Sequence, residues 1–98
     1  MRDMGNAITP CSDATLLAEL QAAYERWVAL CTTKAHEDGE PPEVLEQELG
    51  WMRWRLKVLR RHASCEQIRN TIRAIERAEA WVAAGRDTQV ADEALQRS

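Results

Sequence analysis

Apolar residues recur along this chain at alternating steps of four and three positions, the spacing of one face of an α-helix. The first run comprises Leu16, Leu20, Ala23, Trp27 and Leu30. The second comprises Leu45, Leu49, Met52, Leu56 and Leu59, and the third Ile68, Ile72, Ile75 and Val82, with Ala78 at its edge. No segment alternates apolar and polar residues as a half-buried strand does, so the pattern predicts an all-α protein.

Start and stop residues bound the first two helices. Thr9 is a good N-cap and Pro10 suits the first helical position, so we expect the first helix to begin there. The run DGEPP at residues 38–42 contains a glycine and two prolines, which end one helix and allow the next to open. These signals predict helices at about residues 10–36 and 42–62.

The third helix has a start signal and a stop signal of its own. Ser64 and Gln67 have the spacing of a capping box, in which each residue satisfies a free backbone N–H of the other. Gly85 suits the position just beyond a helix C-terminus, where the backbone turns left-handed. The third helix is therefore expected at about residues 64–84.

A chain of 98 residues suits one domain, or one half of an obligate oligomer. Short connections favour antiparallel neighbours, so we predict an antiparallel three-helix bundle over residues 1–98. Residues 1–9 are expected to form an N-terminal arm, and residues 86–98 a short fourth helix or a frayed tail. Neither a signal peptide nor an apolar run of ~20 residues is present, so we expect a cytoplasmic protein that does not enter a membrane.

The second helix carries more apolar surface than one packing face needs. Val44, Trp51 and Val58 are seven positions apart and lie about 100° round the helix from its leucine face. Trp54 lies beside this second line, and Arg55 lies between the line and the leucine face. One interpretation is that the second line packs against the third helix. The other is that it binds a partner, because Trp and Arg are enriched at interaction hot spots.

The other two helices are broadened in the same way. The additional apolar or small residues of the first helix are Leu17, Tyr24, Val28 and Cys31, and those of the third are Thr71, Ala74, Ala78 and Trp81. Three wide helices in so short a chain suggest that a second chain shares the core. We therefore expect a homo-oligomer and favour a dimer.

Charge is divided unevenly along the chain. Residues 1–52 hold three Lys/Arg against ten Asp/Glu, whereas residues 53–77 hold eight against two. Within the basic segment, Arg69, Arg73 and Arg77 stand four apart and form a ridge opposite the isoleucine face. Three interpretations stay open: neutralisation by the acidic half of the chain, an acidic protein partner, and nucleic acid. The acidic isoelectric point counts against nucleic acid.

Residues for catalysis or metal binding do not occur at useful spacings. His36 lies in a charged stretch, and His62 lies where it would cap a helix C-terminus. Cys11, Cys31 and Cys65 are odd in number and widely spaced, which predicts neither a disulfide framework nor a zinc site. We interpret Cys31 and Cys65 as small core residues in a reducing compartment. The glycines are isolated, so no phosphate loop is expected, and we predict no enzyme, cofactor or metal.

Gly50 interrupts the second helix, where glycine costs about 1 kcal/mol relative to alanine. Either the helix tolerates it, or another helix approaches closely there. The sequence as a whole favours a non-enzymatic helical module for protein binding, of the adaptor, small chaperone or inhibitor type. Its predicted partner-binding residues are Val44, Trp51, Trp54, Arg55, Val58, Arg69, Arg73 and Arg77. The alternatives are a nucleic-acid-binding protein that uses residues 53–77 and a structural subunit of a larger helical assembly.

Overall fold

The computed structural model describes residues 9–85 and residue 95, and within them the chain forms three α-helices and no strand. The helices are α1 (Ala14–Asp38), α2 (Pro42–His62) and α3 (Cys65–Ala83). The prediction of an all-α protein is thus confirmed. The predicted fourth helix is not shown: Leu95, the one described residue of that segment, is buried in the core. The rest of that segment and residues 1–8 of the predicted N-terminal arm lie outside the described residues.

Helix α1 packs against both other helices and runs parallel to α3 and antiparallel to α2. Arg26 of α1 forms an ion pair with Glu79 of α3, with 3.2 Å between Nε and Oε2. Arg60, near the end of α2, donates a hydrogen bond of 3.2 Å to Gln21, near the start of α1. This chain direction agrees with the order predicted for an antiparallel bundle.

The first helix begins four residues later than predicted. Asp13, not Thr9, is the N-cap of α1, and its carboxylate accepts a hydrogen bond from the backbone N–H of Leu16 at 3.1 Å. The backbone N–H of Cys11 donates to the carbonyl of Ala63 at 2.9 Å, between α2 and α3. Because this contact fixes the chain before Asp13 against another part of the protein, residues 10–13 do not extend the helix.

The cysteine prediction was wrong, because Cys11 and Cys65 form a disulfide bond. The two residues are 54 positions apart in the sequence, yet their Cα atoms are 4.6 Å apart. The bond joins the segment before α1 to the first residue of α3, next to the Cys11–Ala63 hydrogen bond. Cys65 is therefore half-buried and disulfide-bonded, while Cys31 is buried and is not part of the disulfide. The expected cytoplasmic location was based in part on reduced cysteines, and disulfides are typical of oxidising compartments, so that part of its support is removed.

The other helix ends follow their sequence signals. Helix α2 has the predicted limits, and α1 ends at Asp38, where Gly39 takes a left-handed φ of 70°. Ser64 and Gln67 form the predicted capping box, in which the Ser64 N–H donates to Gln67 Oε1 at 2.8 Å. Helix α3 stops at Ala83, before Gly85 with its φ of 82°.

The core lies mainly between α1 and α3. Leu20 and Trp27 of α1 and Ile68 and Ile75 of α3 are fully buried. Helix α2 buries only Met52 and Leu59, and its other leucines, Leu45, Leu49 and Leu56, are half-buried. The leucine face of α2 is thus less completely covered than its heptad spacing predicts.

Gly50 has open space around it, so we expect that replacing it with alanine stabilises the protein. The residue is exposed within α2, and a Cβ atom built there has no neighbour within 4 Å. Among the described residues, no helix approaches Gly50 closely. Gly50→Ala should raise the free energy of unfolding by about 0.5–1 kcal/mol in urea denaturation, because alanine restricts the unfolded backbone.

Gly39→Ala is the matched control for this substitution. Its positive φ of 70° disfavours any residue with a Cβ atom. The same change there should lower stability by about 1 kcal/mol. A loss of stability in Gly50→Ala would show that something outside the described residues contacts this position.

Candidate protein-interaction surfaces

The predicted partner-binding residues of α2 differ in exposure. Trp54 is 58% exposed and Val44 is 41% exposed. Trp51, Arg55 and Val58 are half-buried, and Trp51 also packs against the core. We call Val44, Trp51, Trp54, Arg55 and Val58 the tryptophan face.

Helix geometry explains the difference between the two tryptophans. Successive residues are rotated by about 100°, and Met52 marks the buried side of α2. Trp54 is about 200° from Met52, so its indole lies on the side of α2 away from α1. Trp51 is about 100° from Met52 and lies at the edge of the core. Part of the second apolar line therefore lies at the edge of the core, and the rest of it is exposed.

The second apolar line of α2 is covered only in part, although one interpretation of the sequence predicts that α3 covers it. The extensive helix contacts are between α1 and α3 and between α1 and α2, so α1 is the helix that both others share. Among the described residues, nothing buries Trp54 or Val44. These two side chains constitute the open part of the tryptophan face.

The predicted arginine ridge of α3 is exposed, but it lies at a different seam. Arg69 and Arg73 line a depression of about 290 Å³ between α3 and α1, together with Leu16, Glu19, Ile72 and Glu76. Arg73 Nη1 also donates a hydrogen bond of 3.0 Å to Asn70 Oδ1. The structure thus places Arg69 and Arg73 beside α1, whereas Trp54 lies on the side of α2 away from α1. The eight predicted residues do not form one continuous patch.

A groove between α1 and α2 was not predicted from the sequence. It consists of two contiguous cavities of about 540 Å³ and 330 Å³. Both cavities are lined by Gln21, Arg53 and Leu56. The remaining lining residues are Leu17, Tyr24, Glu25 and Val28 of α1 and Met52, Lys57, Arg60 and Arg61 of α2. We call this feature the basic groove.

The two walls of the basic groove differ in charge. The α2 wall carries four exposed cations, Arg53, Lys57, Arg60 and Arg61. The one carboxylate in the lining is Glu25 of α1, which accepts a hydrogen bond from Gln21 Nε2 at 3.0 Å. Cations therefore outnumber carboxylates by four to one in this lining. Among the described residues of this lining, Glu25 is the one carboxylate placed to offset these cations.

The signals for the basic groove were present in the sequence, but on separate helices. Leu17, Tyr24 and Val28 broaden the apolar arc of α1. Arg53, Lys57 and Arg60 step by four and three, which aligns them on one side of α2. Only the antiparallel contact of α1 with α2 brings the two rows together.

Among the described residues, one buried polar side-chain atom has no hydrogen-bond partner. Trp27 is 0% exposed, and its Nε1–H has no acceptor. No cavity described above is lined by Trp27. The atom therefore bears on stability, not on ligand binding.

No group of three or more His, Cys, Asp and Glu residues within the described part of the chain is placed to hold a metal ion. None of α1, α2 and α3 has the length and hydropathy of a membrane-spanning helix. Comparison with protein-family models, with curated proteins and with solved structures gave no match. Function must therefore be argued from the tryptophan face and the basic groove themselves.

Proposed function

We propose that this protein is a non-enzymatic interaction module, of the adaptor, small chaperone or inhibitor type, that binds a protein partner through the tryptophan face. The observation that supports this most strongly is the exposure of Trp54, at 58%. Val44 on the same helix is exposed as well, at 41%. Large apolar side chains grouped on one exposed surface are typical of binding sites.

Burial of Trp54 by a partner would contribute substantially to affinity. A tryptophan side chain buries about 150–250 Å² when fully covered, and slightly more than half of Trp54 is available. At about 25 cal/mol per Å², covering it contributes roughly 3 kcal/mol before the entropic cost of association. Trp51, Arg55 and Val58 surround the anchor and would exclude water from it, as the ring around a hot spot does.

The arginines of α3 have a different role in this proposal. Arg69, Arg73 and Arg77 are exposed, and Arg69 and Arg73 line the α1–α3 seam, apart from Trp54. They would attract an acidic partner over a distance, and so raise its association rate more than its affinity. Their contribution should decline as ionic strength rises.

Self-association is the first form of partner binding to test. The exposed side chains of Trp54 and Val44 leave apolar surface that a second copy could cover, and we propose a homodimer on that basis. Light scattering over a dilution series measures the solution mass directly. If the mass equals that of one chain at every concentration, the proposed partner becomes a different protein and not a second copy.

Trp54→Ala is expected to weaken association through the tryptophan face by about thirtyfold, the effect of losing a hot spot worth about 2 kcal/mol. The readouts are the dimer dissociation constant from light scattering and, for a heterologous partner, capture by the immobilised protein. Trp54 is preferable to Trp51 for this test, because Trp51 also packs against the core.

Trp54→Tyr is the matched variant, because it keeps an aromatic ring at the same position and should retain most of the binding. Thermal unfolding should be nearly the same for both variants, since the side chain is largely exposed. If self-association and partner capture are both unchanged in Trp54→Ala, the tryptophan face is not the binding surface.

Nucleic acid is the less favoured alternative. The cations of α2 line the α1–α2 groove, whereas Arg69 and Arg73 of α3 line the α1–α3 seam. The basic segment of the sequence is therefore divided between two seams, and Glu19 and Glu76 stand beside the second. A phosphate backbone would meet carboxylates along with the arginines there.

A further inference from the structure

We propose that the basic groove binds an acidic amphipathic helix supplied by a partner protein. This surface is distinct from the tryptophan face, and the inference stands whether or not Trp54 is a binding residue. It rests on the length of the groove, on its apolar floor and on the charge of its α2 wall.

The floor of the groove has the length of a short helix. Leu17 and Val28 line its two ends and are eleven positions apart on α1, which corresponds to about 16 Å, or three helical turns. Leu56 faces them from α2 and lines both cavities. These three side chains are half-buried, so each has apolar surface left to cover. A helix with apolar residues at i, i+4, i+7 and i+11 presents anchors over the same distance.

Packing geometry also favours a helix as the occupant. Two antiparallel helices with an open seam offer the same rows of side chains that a further bundle helix would use. Below the seam, Tyr24 and Met52 are already buried and form a closed base. A third helix laid along the seam would contact α1 and α2 together without entering the core.

The charge of the wall selects an acidic partner. Arg53, Lys57 and Arg60 form a row along the α2 side, and the lining offers only Glu25 against them. Carboxylates on one flank of a bound helix would lie opposite this row. Charged hydrogen bonds from arginine to carboxylate are about twice as strong as neutral ones. Glu or Asp along one side of the apolar stripe is thus the expected sequence pattern of the partner.

The same charge disfavours the other occupants. If a second copy paired groove to groove, its four cations would oppose the four of the first, and like charges across an interface are unfavourable. Nucleic acid would satisfy the cationic row but would leave the floor of Leu17, Val28 and Leu56 in contact with phosphate and water. Only an acidic helix with an apolar stripe complements both the wall and the floor.

The test uses a synthetic helical peptide of about four turns, labelled with fluorescein, with leucines on one stripe and glutamates on its flanks. Fluorescence anisotropy with the full chain measures its dissociation constant. A peptide of the same composition with its leucines shuffled off the stripe should bind at least about tenfold more weakly, because it cannot fill the floor. Replacement of its glutamates by lysines should abolish binding.

Two double variants of the protein locate the site. Arg53→Glu with Lys57→Glu reverses the groove wall, and Arg69→Glu with Arg77→Glu makes the same change of net charge on α3. All four residues are exposed, so both variants should fold. The variant of the groove wall should bind the peptide at least about tenfold more weakly. The variant of α3 should lose much less affinity, since it changes only the long-range electrostatic field of the protein. Leu56→Ala should weaken binding without a change in charge.

Several outcomes would overturn the proposal. They are no binding of the acidic peptide, equal binding of the shuffled peptide, and equal losses in the two double variants. Duplex DNA that competes equally with the peptide, or a dimer that Arg53→Glu with Lys57→Glu dissociates, would assign the groove to those occupants instead. Trp54→Ala should leave peptide binding unchanged. A failure of the groove proposal can therefore be distinguished from a failure of the proposal that the tryptophan face binds a partner.

Discussion

Trp27→Ala is expected to lower the free energy of unfolding by about 3–5 kcal/mol, which is a large part of the stability of a small domain. The side chain is 0% exposed and is the largest of the fully buried side chains. It lies between Leu20 and Cys31 on the buried side of α1, the helix that both others contact. Its removal would leave a cavity at the centre that neighbouring side chains fill only partly.

Trp27→Phe is expected to cost far less, within about 1 kcal/mol. A buried N–H without an acceptor costs about 1–3 kcal/mol, and phenylalanine removes that donor. The smaller ring loses contacts, but this loss is offset by the removal of the unpaired group. Urea denaturation followed by circular dichroism measures both variants without relying on tryptophan fluorescence.

Trp54→Ala is the control for the truncation, because the same substitution there removes a mostly exposed indole. It should change stability by no more than about 0.5 kcal/mol. If Trp27→Phe were as harmful as Trp27→Ala, the Nε1–H would have an acceptor, such as a buried water, and the account of an unpaired donor would be wrong.

The three helices could be predicted from local signals alone, and α2 has the predicted limits. Pro42 and the cations near His62 act on the helix that contains them, so no knowledge of the rest of the chain is required. The capping box of Ser64 and Gln67 is local in the same way. Signals of this kind stay valid whatever the helix packs against.

The start of α1 could not be predicted, because its cause is not local. Thr9 and Pro10 are good start residues, but the backbone hydrogen bond and disulfide of Cys11 hold that segment against Ala63 and Cys65. No spacing within the first helix reveals a contact with a residue 54 positions away. The odd number of cysteines concealed the pair further, because the third cysteine, Cys31, is buried in the core and is not part of the disulfide.

A surface formed by one helix could be predicted from the sequence, whereas a surface formed by two helices could not. The exposure of Trp54 agrees with its position beside the second line of α2, and one helix suffices to place it. The basic groove needs the relative position of two helices, shown by the Arg60–Gln21 hydrogen bond. Heptad spacing also predicts which residues of α2 face inward, but not that one helix alone, α1, would cover them extensively.

Removal of the disulfide with Cys11→Ser and Cys65→Ser is expected to lower the free energy of unfolding by about 2–5 kcal/mol. The bond closes a loop that contains all of α1 and α2, with a sequence separation of 54. In the chain-entropy model, a closed loop of this length restricts the unfolded chain and so stabilises the folded state by about 4 kcal/mol. The hydrogen bond from Cys11 to Ala63 would be retained less often as well, because the disulfide is the covalent link between the segment before α1 and the start of α3.

Thermal unfolding with and without a reductant checks this expectation in the wild-type chain. Reduction should lower the midpoint by roughly 8–40 °C, since each of the expected 2–5 kcal/mol corresponds to about 4–8 °C in a domain of this size. The Cys11→Ser, Cys65→Ser variant should melt near the reduced wild type and show no further response to reductant. Cys31→Ala should keep the full response, because Cys31 is not part of the bond. Equal melting of the oxidised and reduced wild type would mean that the bond adds no constraint beyond the packing of α1 on α3, and the late start of α1 would then follow from the Asp13 cap alone.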